Sequence, residues 1–271
     1  MAERRSATHF SVRRIPGFAT TAMLVFVMLY APIIILVFFS FNAGQSVAIF
    51  EGFSLRWYAQ AWENTDVQEA TLRSVQVAMI AATLATTLAT MAAIATTRTK
   101  PFRGMTAIYA IINQPLMAPE IVTAVSLLIF FAILKIATGY SGMGYIYAAH
   151  TAFCIPFAYL PIRGRLEGMD SNLERAAADL YATPWQAFRH VTLPILWPGI
   201  MAGFMLAFVI SLDDVVITNL IAGPGQETLP IYMLGQLRRS ATPEVNAVST
   251  VFLAASVLLV SLFFVLNRSR D

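Results

Sequence analysis

Long apolar stretches separated by short polar segments run through the whole sequence. Four stretches, at 15–50, 74–97, 136–162 and 245–267, contain no Asp, Glu, Lys or Arg. Two more, 104–134 and 190–226, contain only acidic charges. A helix that crosses a bilayer needs about 20 predominantly apolar residues, so all six stretches are long enough. The pattern predicts an all-α membrane protein that forms a single domain over residues 1–271. The predicted spans are 17–41, 74–97, 105–134, 143–162, 196–221 and 245–266.

Composition strengthens this prediction. The chain has 271 residues, 58% hydrophobic and only 12% charged, whereas soluble domains have about 45–50% apolar and about 25% charged residues. These proportions exclude a soluble globular protein and a disordered chain. Cys154 is the only cysteine and falls inside the fourth predicted span. We therefore expect a buried thiol, no internal disulfide and no cysteine-based metal site.

The distribution of basic residues predicts the orientation, because cytoplasmic loops are enriched in Lys and Arg. One set of alternate loops carries thirteen of them: Arg4, Arg5, Arg13, Arg14, Arg98, Lys100, Arg103, Arg163, Arg165, Arg175, Arg189, Arg268 and Arg270. The other set carries five: Arg56, Arg73, Lys135, Arg238 and Arg239. Both termini are therefore predicted to be cytoplasmic. The basic residues flank the membrane and form no separate face for nucleic acid.

The first predicted span is expected to remain as an anchor. Its apolar run, 18–41, is longer than the 7–15 residues typical of a cleaved signal peptide. After it, Ser54 can cap a short helix that extends to Trp62 and lies at the outer surface. Trp57 and Trp62 suit either an aromatic belt at the membrane interface or contact with a partner protein.

Two spans carry further local signals. The span at 74–97 is built mostly from Ala and Thr, which favour close packing inside a helix bundle. The span at 105–134 contains Pro115 and Pro119, and Pro119 directly precedes Glu120. Because proline removes a backbone hydrogen bond and disfavours helix just before it, we expect a break or kink there. Broken helices at membrane depth commonly line a water-filled cavity.

A polar loop at 163–194 contains two possible capping boxes, in which a hydroxyl caps a helix and a Glu or Gln three residues later reaches back. One starts at Ser171 and ends at Glu174; the other starts at Thr183 and ends at Gln186. They predict two short cytoplasmic helices, at 172–182 and 184–191.

The loop also carries the sequence Leu-Glu-Arg-Ala-Ala-Ala-Asp-Leu-Tyr-Ala-Thr-Pro-Trp-Gln-Ala-Phe-Arg-His-Val-Thr-Leu-Pro over 173–194. It resembles the EAA loop of ABC importer permeases, whose pattern is E-A-A, a Gly four residues later and a closing I-x-L-P. The resemblance assigns an ATPase-coupling role to Glu174, Arg175, Ala176, Ala177, Tyr181, Thr183, Pro184, Trp185, Leu193 and Pro194.

Other segments are similar to the second permease subunit of spermidine/putrescine importers. They are Ala-Pro-Glu-Ile-Val at 118–122, Ala-His-Thr-Ala-Phe-Cys at 149–154, Ser-Leu-Asp-Asp-Val-Val at 211–216, Gly-Pro-Gly at 223–225, Thr-Leu-Pro at 228–230 and Pro-Glu-Val-Asn-Ala at 243–247. The resemblance implies a type I importer in a bacterial inner membrane, with polyamine as cargo. Another small amine, an opine or an amino acid is the alternative cargo.

The resemblance also implies partners. These are a second, homologous permease that makes a heterodimer, two ATPase subunits and a periplasmic binding protein. The chain has no G-x-x-x-x-G-K-[ST] loop, so it is not predicted to be an enzyme. ATP and magnesium are expected on the ATPase partner, and no cofactor or metal on this chain.

Three acidic residues inside spans are candidates for the substrate pathway: Glu120, Asp213 and Asp214. Ionisable groups in a bilayer are costly and commonly face a cavity or pair with each other. Because neighbours on a helix point about 100° apart, we expect one aspartate to face the pathway and the other to cap or pair. The adjacent aspartates could also suggest an intramembrane aspartyl protease. Such an enzyme needs two aspartates on separate, facing helices, which two neighbouring residues of one helix cannot supply. His150 is predicted to be a structural residue that makes contacts within or between helices, and His190 is predicted to lie at the surface.

Two positions depart from the EAA pattern. Arg175 stands where the motif has Glu, which reverses the charge. Tyr181 stands where it has Gly, and a left-handed conformation costs a tyrosine about 1–2 kcal/mol. We therefore expect Thr183 and Pro184, and not Tyr181, to make the break between the two loop helices. Glu174 is expected to be occupied by its capping box.

Overall fold

The computed structural model describes residues 17–239 and 242–268, and these form an α-helical structure without strands. The helices are α1 (Phe18–Phe39), α2 (Arg56–Glu63), α3 (Thr65–Thr97), α4 (Met105–Met117), α5 (Glu120–Thr138), α6 (Gly144–Glu167), α7 (Asn172–Asp179), α8 (Pro184–Ala187), α9 (Leu193–Asp213), α10 (Val216–Ile221), α11 (Leu229–Arg239) and α12 (Pro243–Arg268). A π-helical segment, Phe188–Thr192, joins α8 to α9. Arg4, Arg5, Arg13, Arg14 and Arg270 lie outside the described residues, so the cytoplasmic termini stay a prediction.

Six helices in the described part of the chain are long and apolar enough to cross a membrane, which confirms the predicted number. They are Phe18–Phe39, Thr65–Thr97, Glu120–Thr138, Gly144–Glu167, Pro184–Asp213 and Pro243–Phe263. The second begins nine residues earlier than predicted, because the Asn64 side chain caps it by accepting hydrogen bonds from the amides of Asp66 and Val67.

The third and fifth predicted spans need correction. The third is two helices, α4 and α5, separated by Ala118 in an extended conformation before Pro119. The fifth does not continue to residue 221; α9 ends at Asp213, and Asp214 is extended before the short helix α10. The predicted break in the third span is thus confirmed, whereas the break in the fifth was missed.

The described residues divide into two compact units. Residues 17–61 and 242–252 belong to one, and residues 62–239 and 253–268 to the other. In the first unit, Trp57 is only 4% exposed, and its indole N–H donates to the carbonyls of Asn42 (2.9 Å) and Gly44 (3.2 Å). Trp57 is therefore a core residue of the segment that follows α1. Trp62 is 81% exposed.

The second unit has a core of small residues. Helix α3 packs against α6 and α9, and six of its alanines are fully buried: Ala78, Ala81, Ala82, Ala85, Ala89 and Ala93. At Gly203 of α9, an added Cβ would lie 2.7 Å from the carbonyl oxygen of Ala158 on α6. This contact allows the two backbones to approach closely. The predicted packing role of the Ala-rich span is confirmed.

Candidate translocation site and coupling loop

Two interruptions of spanning helices bring the three predicted acidic residues together. Glu120 is the first residue of α5, just after the break at Ala118 and Pro119. Asp213 ends α9, and Asp214 follows in the next break. Because α5 packs against α10, the Glu120 carboxyl group lies close to the carboxyl groups of Asp214 and Asp213.

The two breaks place these carboxyl groups between apolar helices. The 13 residues of α4 precede the break, a length of about 20 Å, and Glu120 begins the 19 residues of α5. Glu120 and Asp213 are exposed in this chain, whereas the side chain of Asp214 is only 1% exposed. A charge that faces lipid is costly, so the two exposed carboxyl groups suit a water-filled cavity.

Asp214 holds the break between α9 and α10. Its carboxylate accepts hydrogen bonds from the amides of Ile217 (3.2 Å) and Thr218 (2.9 Å) and from the Thr218 hydroxyl (2.9 Å). These amides are donors that the first turn of a helix leaves unpaired. Asp214 is thus the aspartate that caps, and the expectation that its neighbour Asp213 faces the pathway stays a prediction.

His150 of α6 lies behind this cap and is fully buried. Its Nε2 is 2.9 Å from the Thr218 hydroxyl and 3.4 Å from Asp214, and its Nδ1 is 2.8 Å from the Ser211 hydroxyl. The single hydroxyl proton of Thr218 goes to Asp214, so Nε2–H donates to Thr218. The predicted structural role of His150 is confirmed, and its partners lie on other helices. Ser211 and Thr218 were missed, because nothing in the sequence signals which hydroxyls meet a buried histidine.

Cys154 and His190 also match their predictions. The thiol of Cys154 is buried and lies 3.5 Å from the Ala207 carbonyl oxygen. His190 is exposed, and its Nδ1 lies 3.0 Å from the Gln186 carbonyl oxygen.

The coupling loop contains a turn that the sequence did not predict. Tyr181 has a φ angle of 60°. The Tyr181 amide donates to Ala178 (2.9 Å) and the Ala182 amide to Ala177 (3.1 Å), the two hydrogen bonds of a Schellman motif that ends α7. The expectation that Tyr181 avoids the left-handed conformation was wrong, because these bonds satisfy carbonyls that the end of α7 would otherwise leave unpaired.

The two predicted capping boxes had different outcomes. The Thr183 box is confirmed, with Pro184 in the first turn and Gln186 reaching back to Thr183. The Ser171 box is wrong. Ser171 has helical backbone angles, and its side chain makes no capping hydrogen bond; the Asp170 carboxylate instead accepts from the Asn172 amide (2.9 Å).

The second loop helix was predicted to end at 191, but it continues into α9. Pro194 has no N–H for the carbonyl four residues earlier, which disfavours a regular α-helix there. The chain adopts a π-helical turn, in which the Leu193 amide donates to Phe188, five residues earlier. The first loop helix is also shorter than the predicted 172–182, since it ends at Asp179.

The exposed surface of the coupling loop is apolar and basic. Leu180, Tyr181 and Trp185 are 82%, 95% and 66% exposed, and the ring centroids of Trp185 and Phe188 are 5.5 Å apart. Arg175 and Ala176 are exposed, as is Pro194, while Ala177 and Leu193 are half-buried. Such a surface is typical of a protein-binding site.

Comparison with known proteins identifies the family. Residues 85–271 match the family described as binding-protein-dependent transport system inner membrane component. The chain belongs to this family. It is an inner-membrane permease subunit of an ABC importer.

Two related permeases align over most of this one. It is 39% identical over 247 residues to the putrescine transport system permease protein PotI of Escherichia coli K12, covering 90% of this chain and 88% of the relative. It is 38% identical over 248 residues to the spermidine/putrescine transport system permease protein PotC of Haemophilus influenzae, covering 92% and 95%.

Solved permease structures share the fold. A chain of a bacterial ABC transporter involved in the import of the acidic polysaccharide alginate superposes with a TM-score of 0.71 at 14% identity, covering 93% of this permease and 96% of that chain. A chain of the inward-facing MetNI methionine ABC transporter gives 0.63 at 17% identity, covering 76% and 95%.

Proposed function

We propose that this permease forms one half of the pathway by which an ATP-driven importer moves a polyamine, such as putrescine or spermidine, across the inner membrane. The observation that carries the proposal is the convergence of Glu120, Asp213 and Asp214 at two helix breaks. Polyamines are flexible chains with several protonated amines, and carboxylates that line an aqueous cavity with apolar walls attract such cations. The names of the relatives support the same cargo.

Within this pathway the acidic residues have different roles. Asp214 is occupied by α10 and His150, so it fixes the shape of the break. Glu120 and Asp213 are exposed and are the groups that contact a passing ammonium. Two carboxylates that bind the ammonium weakly suit transport better than a site that encloses it, because the cargo must also be released.

A second, homologous permease completes the pathway. In this chain alone, Glu120 and Asp213 would face lipid, which is unfavourable for charged groups. A partner subunit placed against this face would enclose them in a shared aqueous cavity. We propose a heterodimer of two different permeases embedded in lipid, with no role for nucleic acid.

The energy comes from two ATPase subunits that bind ATP and magnesium. This chain supplies their docking surface, formed by Arg175, Leu180, Tyr181, Trp185 and the neighbouring loop residues. Closure of the ATPases on ATP would move α7 and switch the pathway between inward-facing and outward-facing states. A periplasmic binding protein delivers the cargo at the opposite side.

The experiment is ATP hydrolysis by the co-expressed complex in lipid, with its binding protein and a series of cargoes. We expect putrescine or spermidine to stimulate hydrolysis, and a neutral amino acid to leave it at the basal rate. The Glu120→Gln variant should lose most of the stimulation. The matched control is Glu69→Gln, an exposed glutamate that pairs with Arg73 on α3, and it should respond as the wild type does.

Stimulation by an opine or an amino acid, with indifference to all polyamines, would overturn the cargo assignment and favour the alternative cargo. A complex that hydrolyses no ATP at all would contradict the importer assignment itself.

A further inference from the structure

One carboxylate oxygen joins the coupling loop to two spanning helices. Oε1 of Glu174, on α7, accepts a hydrogen bond of 2.8 Å from the Thr192 hydroxyl. The same oxygen lies 3.4 Å from Nε of Arg98. Arg98 caps the C-terminus of α3, and Thr192 is the last residue of the π-helical segment before α9. Glu174 therefore contacts the ends of both helices at once.

Arg98 extends this junction to a further segment. Its guanidinium donates to the Met169 carbonyl (3.4 Å), in the link between α6 and α7. The side chains of Arg98 and Glu174 are 19% and 29% exposed, and Thr192 is buried. The contact from Thr192 to Glu174 is a charge-assisted hydrogen bond, and the contact between Arg98 and Glu174 is an ion pair. Because both are partly buried, they are less screened than pairs at the surface. A cation at the end of α3 is also favoured by the helix dipole.

A second face of α7 points away from the junction, because neighbouring residues on a helix point about 100° apart. Arg175 is exposed, and its guanidinium is 3.4 Å from the Asn172 side chain on the same helix. Helix α7 has only eight residues, with turns at both of its ends. A force on its outer surface needs a lateral contact to reach the spanning helices, and Glu174 supplies one.

We propose that the junction of Glu174, Arg98 and Thr192 is the strut that transmits movement of α7 to α3 and α9. Glu174 is then a positioning residue for coupling, and it does not replace the missing motif glutamate at the ATPase surface. This inference rests on the proposed function, because it assumes that an ATPase moves α7.

The test measures pathway opening without reference to the cargo. The complete complex carries Asp213→Cys as a reporter and Cys154→Ala to remove the native thiol of this chain. Modification of the reporter by a water-soluble maleimide is timed without nucleotide and with a non-hydrolysable ATP analogue. With Glu174 intact, we expect the two rates to differ at least fivefold. With Glu174→Gln added, we expect a difference of twofold or less.

Four further variants separate a strut from a residue that only aids folding. The matched control, Glu167→Gln, changes an exposed glutamate that pairs with Arg163 at 2.7 Å, and it should keep the full difference. Arg98→Met should reduce the difference between the two modification rates as Glu174→Gln does. The variant with both changes should show no greater reduction than either single variant. Thr192→Val removes only a hydroxyl, and it should reduce the difference at least twofold even if Glu174→Gln does not assemble.

The two possible failures are distinguishable. If the complex with an intact junction shows no nucleotide-dependent change in the modification rate of the reporter, the proposed function is contradicted. If it shows the change and the Glu174, Arg98 and Thr192 variants all retain it, the strut is overturned. Additive effects of Arg98→Met and Glu174→Gln would overturn it as well, because two ends of one contact should not add.

Discussion

At the residue scale, Tyr181 has the only positive φ angle of a non-glycine residue in the described part of the chain. Its place in the turn after α7 is one that glycine normally fills, since a Cβ in the left-handed conformation costs about 1–2 kcal/mol. The side chain is almost fully exposed, so it recovers little of this cost by packing within the chain. A large side chain kept at a strained position suits the proposed ATPase contact.

Replacement of Tyr181 by glycine should therefore stabilise the isolated permease, by about 1 kcal/mol. Tyr181→Ala is the control, because it removes the ring but keeps the Cβ and its strain. Thermal unfolding in detergent should show a higher melting temperature for Tyr181→Gly and no increase for Tyr181→Ala. Equal melting temperatures for the two variants would contradict the account of the turn.

Asp213 and Asp214 should respond differently to loss of charge. Asp214→Asn leaves an amide N–H₂ facing the donors that both carboxylate oxygens accept from, and an unpaired buried donor costs about 1–3 kcal/mol. Asp213→Asn changes an exposed group and should leave stability unchanged while transport falls. Melting temperature and uptake, measured on both variants, check this contrast. Equal loss of stability would contradict it.

The acidic cluster could be predicted from the sequence only in part. Charge scarcity inside apolar stretches singled out Glu120, Asp213 and Asp214, because membrane insertion disfavours stranded charges. Their convergence depends on α5 packing against α10, which no local pattern encodes. Glu174 was misassigned for a related reason. Its sequence neighbours suggest a capping box, whereas its actual partners, Arg98 and Thr192, are distant in sequence.

At the element scale, proline and aspartate create the two breaks. Pro119 forces Ala118 into an extended conformation and starts α5 at Glu120. The proline signal is strong enough to be predicted from sequence. The break after Asp213 has no proline within it and depends on the side chain of Asp214 as a cap. The predicted span rested on hydrophobicity, so it continued through this break to residue 221.

Substitution of Pro119 by alanine should allow α4 and α5 to join and should rotate Glu120 away from Asp214. We expect assembly to persist and uptake of putrescine by the reconstituted complex to fall severalfold. Pro115→Ala is the control, because Pro115 lies inside α4 and not at the break. Wild-type uptake by the Pro119 variant would show that the break is dispensable.

The charge on the exposed face of α7 should determine how strongly the ATPase associates with this permease. Arg175→Glu restores the motif residue but reverses the charge that this chain presents. If the partner surface matches Arg175, co-purification of the ATPase with the variant should fall at least tenfold. Lys100→Glu, an equal charge change at an exposed site outside α7, should have no effect. Unchanged association of the Arg175 variant would contradict a matched surface.

At the scale of the whole molecule, the charge pattern predicted the membrane architecture well. Each charge-free stretch yielded a spanning helix, because the cost of burying charge in lipid outweighs local propensity. The irregular elements were harder. The π-helical turn before α9 and the short helix α10 depend on packing between helices, and the sequence does not encode that packing locally.

The central claim is that polyamine cations pass the exposed carboxylates of Glu120 and Asp213. Its most direct test is ATP-dependent uptake of radiolabelled putrescine into proteoliposomes that contain the complete complex and the binding protein. The account predicts robust uptake by the wild type and at least a tenfold loss in the Glu120→Gln and Asp213→Asn double variant, with assembly and basal ATP hydrolysis retained. Wild-type uptake by the double variant would contradict the account.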